Sequence, residues 1–276
     1  MLHRLSLALV LATGFASFAS AQVVRFETTV GSFDMVLNPT NNPVLQAHVD
    51  NMLHYVENNS YKSSWINRAA EDFVLQMGGF YSHTKRVPID ISSTRPVATI
   101  DPVPGEPASE NPGLSNTRGT VSLALPGSAG GTNQDGGTSS FFVNLGTNEF
   151  LDADFTVFAA IPDMTTVDKI MGLMQTDLTA DPDFGAGNGN LGFSDVPLED
   201  NGFQVFIRRT FVINDTLEIA RAQAGVQAIM AASLAGGGNG GGGSASAPVV
   251  SSVVPEPASG LLCLGGIALL PRRRRR

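Results

Sequence analysis

Residues 67–80 read NRAAEDFVLQMGGF: one arginine, Arg68, stands ahead of a short apolar run that ends in Gln76, Met77 and two glycines. Arginine almost never lies fully inside a fold unless it is paired. Arg68 is therefore either a solvated charge at a strand end or a guanidinium held over apolar side chains to do chemistry. Residues 73–77 suit a short strand. The segments on either side bear on the choice.

Upstream, VVRFETTVGSFDMVLN (23–38) alternates, with Val24, Phe26 and Thr28 on one side, then Phe33, Met35 and Leu37. Val30, Gly31 and Ser32 supply a turn, so this stretch predicts a β-hairpin. After Pro43, the residues Leu45, Val49, Met52, Leu53 and Val56 recur at helical spacing, predicting about four turns with proline near the first. Downstream, residues 83–113 are rich in proline and polar residues and read as a long loop. Strands are expected at 120–125, 140–145, 155–161 and 203–213, with a short helix starting near Thr165. Asp215 with Glu218 resembles a capping box that opens a helix running to about Leu234. Many short strands with two or three helices suggest a closed or nearly closed β-barrel with helices over its ends. TSSFFVNL offers Phe141 and Phe142 on opposite faces, and NEFLDADFTVF offers Phe150, Leu151 and Phe155. On spacing alone all of these are core residues.

Both ends carry processing patterns. Arg4, an apolar stretch and ASA before Gln22 read as a secretory signal peptide over 1–21, with an N-terminal membrane anchor as the other reading, though the stretch is short for a span. Residues 235–253 are a Gly/Ser-rich linker. Residues 254–276 place Pro255-Glu256-Pro257 before an apolar segment, short for a membrane span, and then five arginines, a cluster expected to stay cytoplasmic. This order resembles the PEP-CTERM sorting tail of Gram-negative bacteria, which implies membrane contact through the tail and processing by signal peptidase and an exosortase. The expected location is the cell envelope, cell surface or extracellular matrix of such a bacterium. Of 17 Lys and Arg, setting aside Arg4 and the five tail arginines leaves 11 against 25 Asp and Glu, a net of −14. An acidic exported body argues against nucleic acid as a partner. The one cysteine, Cys263, lies in the tail, so the folded part relies on an ordinary core rather than a disulfide.

Four stretches occur in order: residues 49–79, SNTRGTVSLAL (115–125), TSSFFVNLGTNEFLDADFTVFAAI (138–161) and VDKI (167–170). Together they resemble a bacterial cyclophilin, a peptidyl-prolyl cis–trans isomerase, from about Val24 to Phe211. The resemblance implies a mainly β fold: an eight-stranded antiparallel barrel capped by two helices, over residues 22–214. To it this chain adds a C-terminal helix at 215–234. It implies Arg68 as the catalytic arginine, with Gln76 orienting the substrate backbone or the guanidinium. Phe73, Val74, Phe142 and Leu151 match the walls of the proline pocket, and Ala124 and Leu125 the groove beside it. Phe150 stands where many relatives carry tryptophan, and Phe155 where histidine is common. The implied partners are proline-containing polypeptides, and no cofactor is implied.

The chain departs from the family pattern at several positions. Asn67 replaces a histidine, Asp72 a glycine, Ser140 a glutamine and Leu125 a polar groove residue, while Met77 intervenes before the glycine pair. Arginine and apolar cup survive and polar groove contacts are thinned. Two functions therefore stay open: an exported isomerase that helps exported proteins fold, and a weakened cyclophilin-like domain that binds proline-containing peptides at the cell surface. A structural matrix role carried by the tail alone is a third. His48 and His54, six apart, share no tight ligand face, and the chain has neither HExxH nor a Cys/His cluster, which argues against zinc. Residues 179–190, which superficially suggest calcium, lack the spacing and final glutamate of an EF-hand loop.

Overall fold

A computed structural model of the chain describes residues 21–82, 94–98, 113–128, 131–179 and 191–236. The expected signal peptide apart from Ala21, the expected sorting tail, most of the expected linker and most of the expected 83–113 loop lie outside these residues.

Eight strands form the body: β1 (Val23–Thr28), β2 (Ser32–Leu37), β3 (Ser64–Ala70), β4 (Val74–Ser82), β5 (Thr120–Leu123), β6 (Phe141–Asn144), β7 (Val157–Ala160) and β8 (Ile207–Val212). Their spatial order is β8-β1-β2-β7-β5-β6-β4-β3, and every neighbouring pair is antiparallel. The ends of this order meet. Trp65 forms a bridge with Phe206, Ser63 N donates to Ile207 O at 2.9 Å, and Ile66 N donates to Val205 O at 3.0 Å. The sheet thus curls into a nearly closed barrel, the architecture expected from the sequence.

The hairpin forms where alternation places it. Val24 pairs with Met35 and Phe26 with Phe33, and the two phenyl rings stack with centroids 5.1 Å apart. α1 (Gln46–Glu57) follows a 3-10 turn, Pro43–Leu45, whose Asn42 cap accepts from Val44 N at 3.0 Å. α1 buries Val49, Met52, Tyr55 and Val56, and α2 (Thr165–Met171) buries Val167 and Ile170, in the same core cluster as the inward strand residues.

Three features differ from the sequence expectation. β3 carries no alternation because all seven of its residues are buried; a strand covered on both faces loses the period-two signal. Its outer side is covered by a separate cluster of Trp65, Phe193, Val196 and Phe206. Within the expected loop, Thr94–Pro96 pairs with the end of β4. The single C-terminal helix is two, α3 (Thr216–Gly225) and α4 (Gln227–Gly236). Asp215 caps α3 as expected, accepting from Leu217 N and Glu218 N at 2.9 Å. The break falls at Gly225–Val226, where a Cβ on Gly225 would sit 2.8 Å from Pro162 Cβ. Both helices lie on the barrel's outer wall, where Ala222, Val226 and Met230 share a second cluster with Val36, Val157 and Ala160.

Candidate active site

Strand pairing builds the site. Arg68 on β3 is the register partner of Gln76 on β4, Gln76 of Phe142 on β6, and Phe142 of Ser122 on β5. Paired residues on adjacent strands share a face. Their sequence neighbours point to the opposite face: the Phe141 ring meets Phe26 and Tyr61 inside, whereas the Phe142 ring meets Phe155. Arg68, Gln76, Phe142 and Ser122 thus form one row on the outer wall, with Phe142 still part of the core cluster. A register irregularity between Ile66 and Arg68 sets the arginine into this row. Asn67 faces the seam instead, where its Nδ2 donates to Gly192 O at 2.8 Å.

Arg68 is 5 % exposed. Its Cζ lies 5.3 Å from the Phe73 ring centroid, within cation–π range. Nε and Nη1 are buried and donate to no described protein atom. Burial pushes the guanidinium pKa down, and the Asp195 carboxylate partly opposes this. Arginine starts so far above neutrality that the group stays charged. The result is a cation held by packing, with Nε and Nη1 uncommitted among the described residues.

Around it, Phe73 is half-buried and stacks with Phe150 at 5.9 Å and 17°; Phe150 is 60 % exposed. Phe142 meets Phe155 edge-on at 5.5 Å and 78°. Val74, Gln76, Ala124, Leu125, Phe142, Leu151 and Phe155 are all buried, so Phe73 and Phe150 supply the visible apolar surface. Ala124 N donates to Ser140 O at 2.9 Å, and Leu125 belongs to the core cluster. Gln76 Nε2 reaches Ser140 Oγ, and Ser140 Oγ reaches Met77 O, both at a long 3.4 Å. A cavity of about 530 Å³ opens beside the 70–74 turn rather than over the arginine, lined by Glu71, Asp72, Arg118, Leu145 and Asp168 among others.

A buried polar network behind the rings has no counterpart in the sequence reading. Asn116 Nδ2 donates to Asp152 Oδ1 at 2.9 Å and to Phe155 O at 3.0 Å, while its Oδ1 accepts from Ser122 Oγ at 2.8 Å and Asn144 Nδ2 at 3.0 Å. Asn148 Nδ2 donates to Asn144 Oδ1 at 2.8 Å and Phe73 O at 2.9 Å. These bonds hold the 3-10 turn Glu149–Leu151, and with it Phe150 and Leu151, against the barrel. Asn144 and Ser122 project from the outer faces of β6 and β5, so by alternation alone they read as solvent-facing.

The barrel keeps its interior filled and sets an arginine beside aromatic rings on its outer wall. Residues 23–183 match the family model described as cyclophilin type peptidyl-prolyl cis-trans isomerase/CLD. The chain is 32% identical over 154 residues to a peptidyl-prolyl cis-trans isomerase of Acinetobacter baylyi, covering 54% of this chain and 71% of that protein. It is 33% identical over 162 residues to peptidyl-prolyl cis-trans isomerase A of Dickeya dadantii, covering 56% and 74%. Against peptidyl-prolyl cis-trans isomerase B of Escherichia coli the identity is 31% over 163 residues, covering 55% and 85%. The chain belongs to the cyclophilin type peptidyl-prolyl cis-trans isomerase family. The family model's match ends at residue 183, before β8, α3 and α4.

Proposed function

We propose that the protein is an exported peptidyl-prolyl cis–trans isomerase that turns X–Pro bonds in exported polypeptides, with Arg68 as its catalytic residue. The observation that carries this is the Arg68 guanidinium, buried against the Phe73 ring with Nε and Nη1 uncommitted. Rotation about a peptide bond faces a barrier of about 18–20 kcal/mol, set by C–N resonance. X–Pro bonds populate both isomers but exchange over tens to hundreds of seconds. No bond has to break. An apolar cup formed by Phe73, Val74, Phe142 and Leu151 holds the pyrrolidine ring while the preceding carbonyl swings. The fixed guanidinium donates to the twisted amide and favours it over either planar form, which is differential binding of the transition state by preorganised donors in a dry setting. Gln76, one strand away in the same row, orients the substrate backbone.

Residues 1–21 and 254–276 support export and sorting to the envelope. Cell fractionation with and without residues 254–276 tests the location: equal distribution would remove the sorting role.

Turnover of a short Ala-Pro or Leu-Pro peptide tests the chemistry. Arg68→Ala is expected to lose about 100-fold or more, since removing a single charge-stabilising donor group costs about 10²–10³. Equal rates for both proteins would remove the enzyme assignment. The burial of Phe142, Leu151 and Phe155 favours a second function, a domain that binds proline peptides with little turnover. Peptide binding lost on Phe73→Ala without measurable wild-type turnover would select it.

A further inference from the structure

We infer that the helical pair α3–α4, which lies beyond the residues matched by the family, braces the proline pocket from behind, with Ser233 as a positioning residue. The inference rests on the isomerase assignment above.

Ser233 on α4 is fully buried. Its Oγ donates to Ser115 O at 2.7 Å, and Ser115 N donates back to Ser233 O at 3.1 Å. Helix and loop are therefore closed by a reciprocal pair. The chain of bonds continues inward. Ser115 Oγ donates to the Asp152 carboxylate, and Asn116 N donates to Asp152 Oδ1 at 2.7 Å. Asp152 N closes the 3-10 turn on Glu149 O at 3.0 Å. Asn116 Nδ2 also fixes Phe155 O, whose ring packs edge-on against Phe142. Each step from α4 to the Phe142 ring is a hydrogen bond, a covalent neighbour or a ring contact.

Two physical points make this a brace rather than a coincidence of packing. A 3-10 turn of three residues has poor hydrogen-bond geometry of its own, so the placement of Phe150 and Leu151 depends on its two anchors, Asn148 at the start and Asp152 at the end. Ser233, Ser115 and Asn116 are buried and Asp152 half-buried; at the buried members an alternative arrangement strands a donor or acceptor, which favours this one. Val226 and Met230 set the seating of α4 on the wall through Val36, Val157 and Ala160, so Ser233 presents its hydroxyl at a fixed height. Catalysis by a preorganised cup needs this constancy, since small misplacements of positioning groups cost rate.

The test uses the full-length protein with Ser233→Ala, and Val49→Ala in α1 as a variant that lowers global stability without touching the chain of bonds. Amide hydrogen exchange is read by peptide, and turnover on an Ala-Pro peptide is read below the melting range. Ser233→Ala is expected to speed exchange of residues 148–155 several-fold, leave β4 and β6 unchanged, and lower kcat/KM about fivefold, the size of one net hydrogen bond. Val49→Ala is expected to show neither local effect. Unchanged exchange at 148–155 in Ser233→Ala would overturn the brace. So would the same local exchange and rate loss in Val49→Ala. If the wild type shows no turnover, the isomerase assignment falls while the exchange comparison still decides the brace.

Discussion

Arg68 sits where a charge is costly. An ion taken out of water without full compensation costs several kcal/mol, and exchanging it for an apolar residue is often neutral or stabilising. Most truncations of a residue as buried as Arg68 would instead cost about 2–5 kcal/mol. Arg68→Ala is therefore expected to lose less than about 1 kcal/mol of stability in urea denaturation while losing its activity, the signature of a residue kept for chemistry. Asn116 is the opposite case. Its side chain makes four hydrogen bonds. Deleting it takes away the partner of Ser122 Oγ and of Phe155 O, at about 1–3 kcal/mol for an unsatisfied group, while Asp152 keeps Asn116 N and Asn144 keeps Thr120. Asn116→Ala is expected to cost about 3 kcal/mol in the same assay. The two residues also differ in legibility. Arg68, with Phe73 and Gln76 at fixed offsets, stands out in one line of sequence because charge beside apolar residues is anomalous. Asn116 sits in SNTRG, a stretch typical of an exposed loop, and nothing local announces that it will be enclosed.

Elements were legible in proportion to their asymmetry. β1, β2 and α1 each show one face to the core, and their periods are written in the residues. β3 shows no period because the seam at Phe193–Phe206 covers its other face. The strand that carries the arginine thus has its pattern erased by tertiary contact, as do β5, β6 and β7, whose residues are all buried too. The break between α3 and α4 likewise falls where Pro162, a distant residue, leaves no room for a side chain at Gly225. In β4 the decisive position is Gly78. Its φ is +86°, and a Cβ there would lie 2.6 Å from Ser139 O and 2.9 Å from Tyr61 Cε1. Tyr61 cannot retreat freely, since its hydroxyl donates to that same carbonyl at 2.9 Å. Gly78→Ala combines backbone strain with a steric clash and is expected to cost about 3 kcal/mol or more, seen as a lowered urea midpoint with unchanged m.

At the scale of the whole molecule, the barrel needs its C-terminal helices. Without them the outer wall at Val36, Val157 and Ala160 meets water. Burying a Val or Met side chain is worth about 1.5–3 kcal/mol, so a chain ending at Asn214 is expected to melt at least about 10 °C lower in calorimetry. An unchanged melting temperature would show that α3 and α4 contribute nothing to folding.

The protein has one tryptophan, and it is built into the joint that closes the ring. Trp65 is fully buried, bridged to Phe206 and stacked on Phe193 at 5.8 Å. Its light emission therefore reports on that joint alone. The folded protein should emit toward the blue, as a dry indole does, and parting of the first-covered strand from its neighbour should shift the colour toward red. An optical trace compared with helix content by circular dichroism will then tell whether the ring opens before the rest of the molecule lets go.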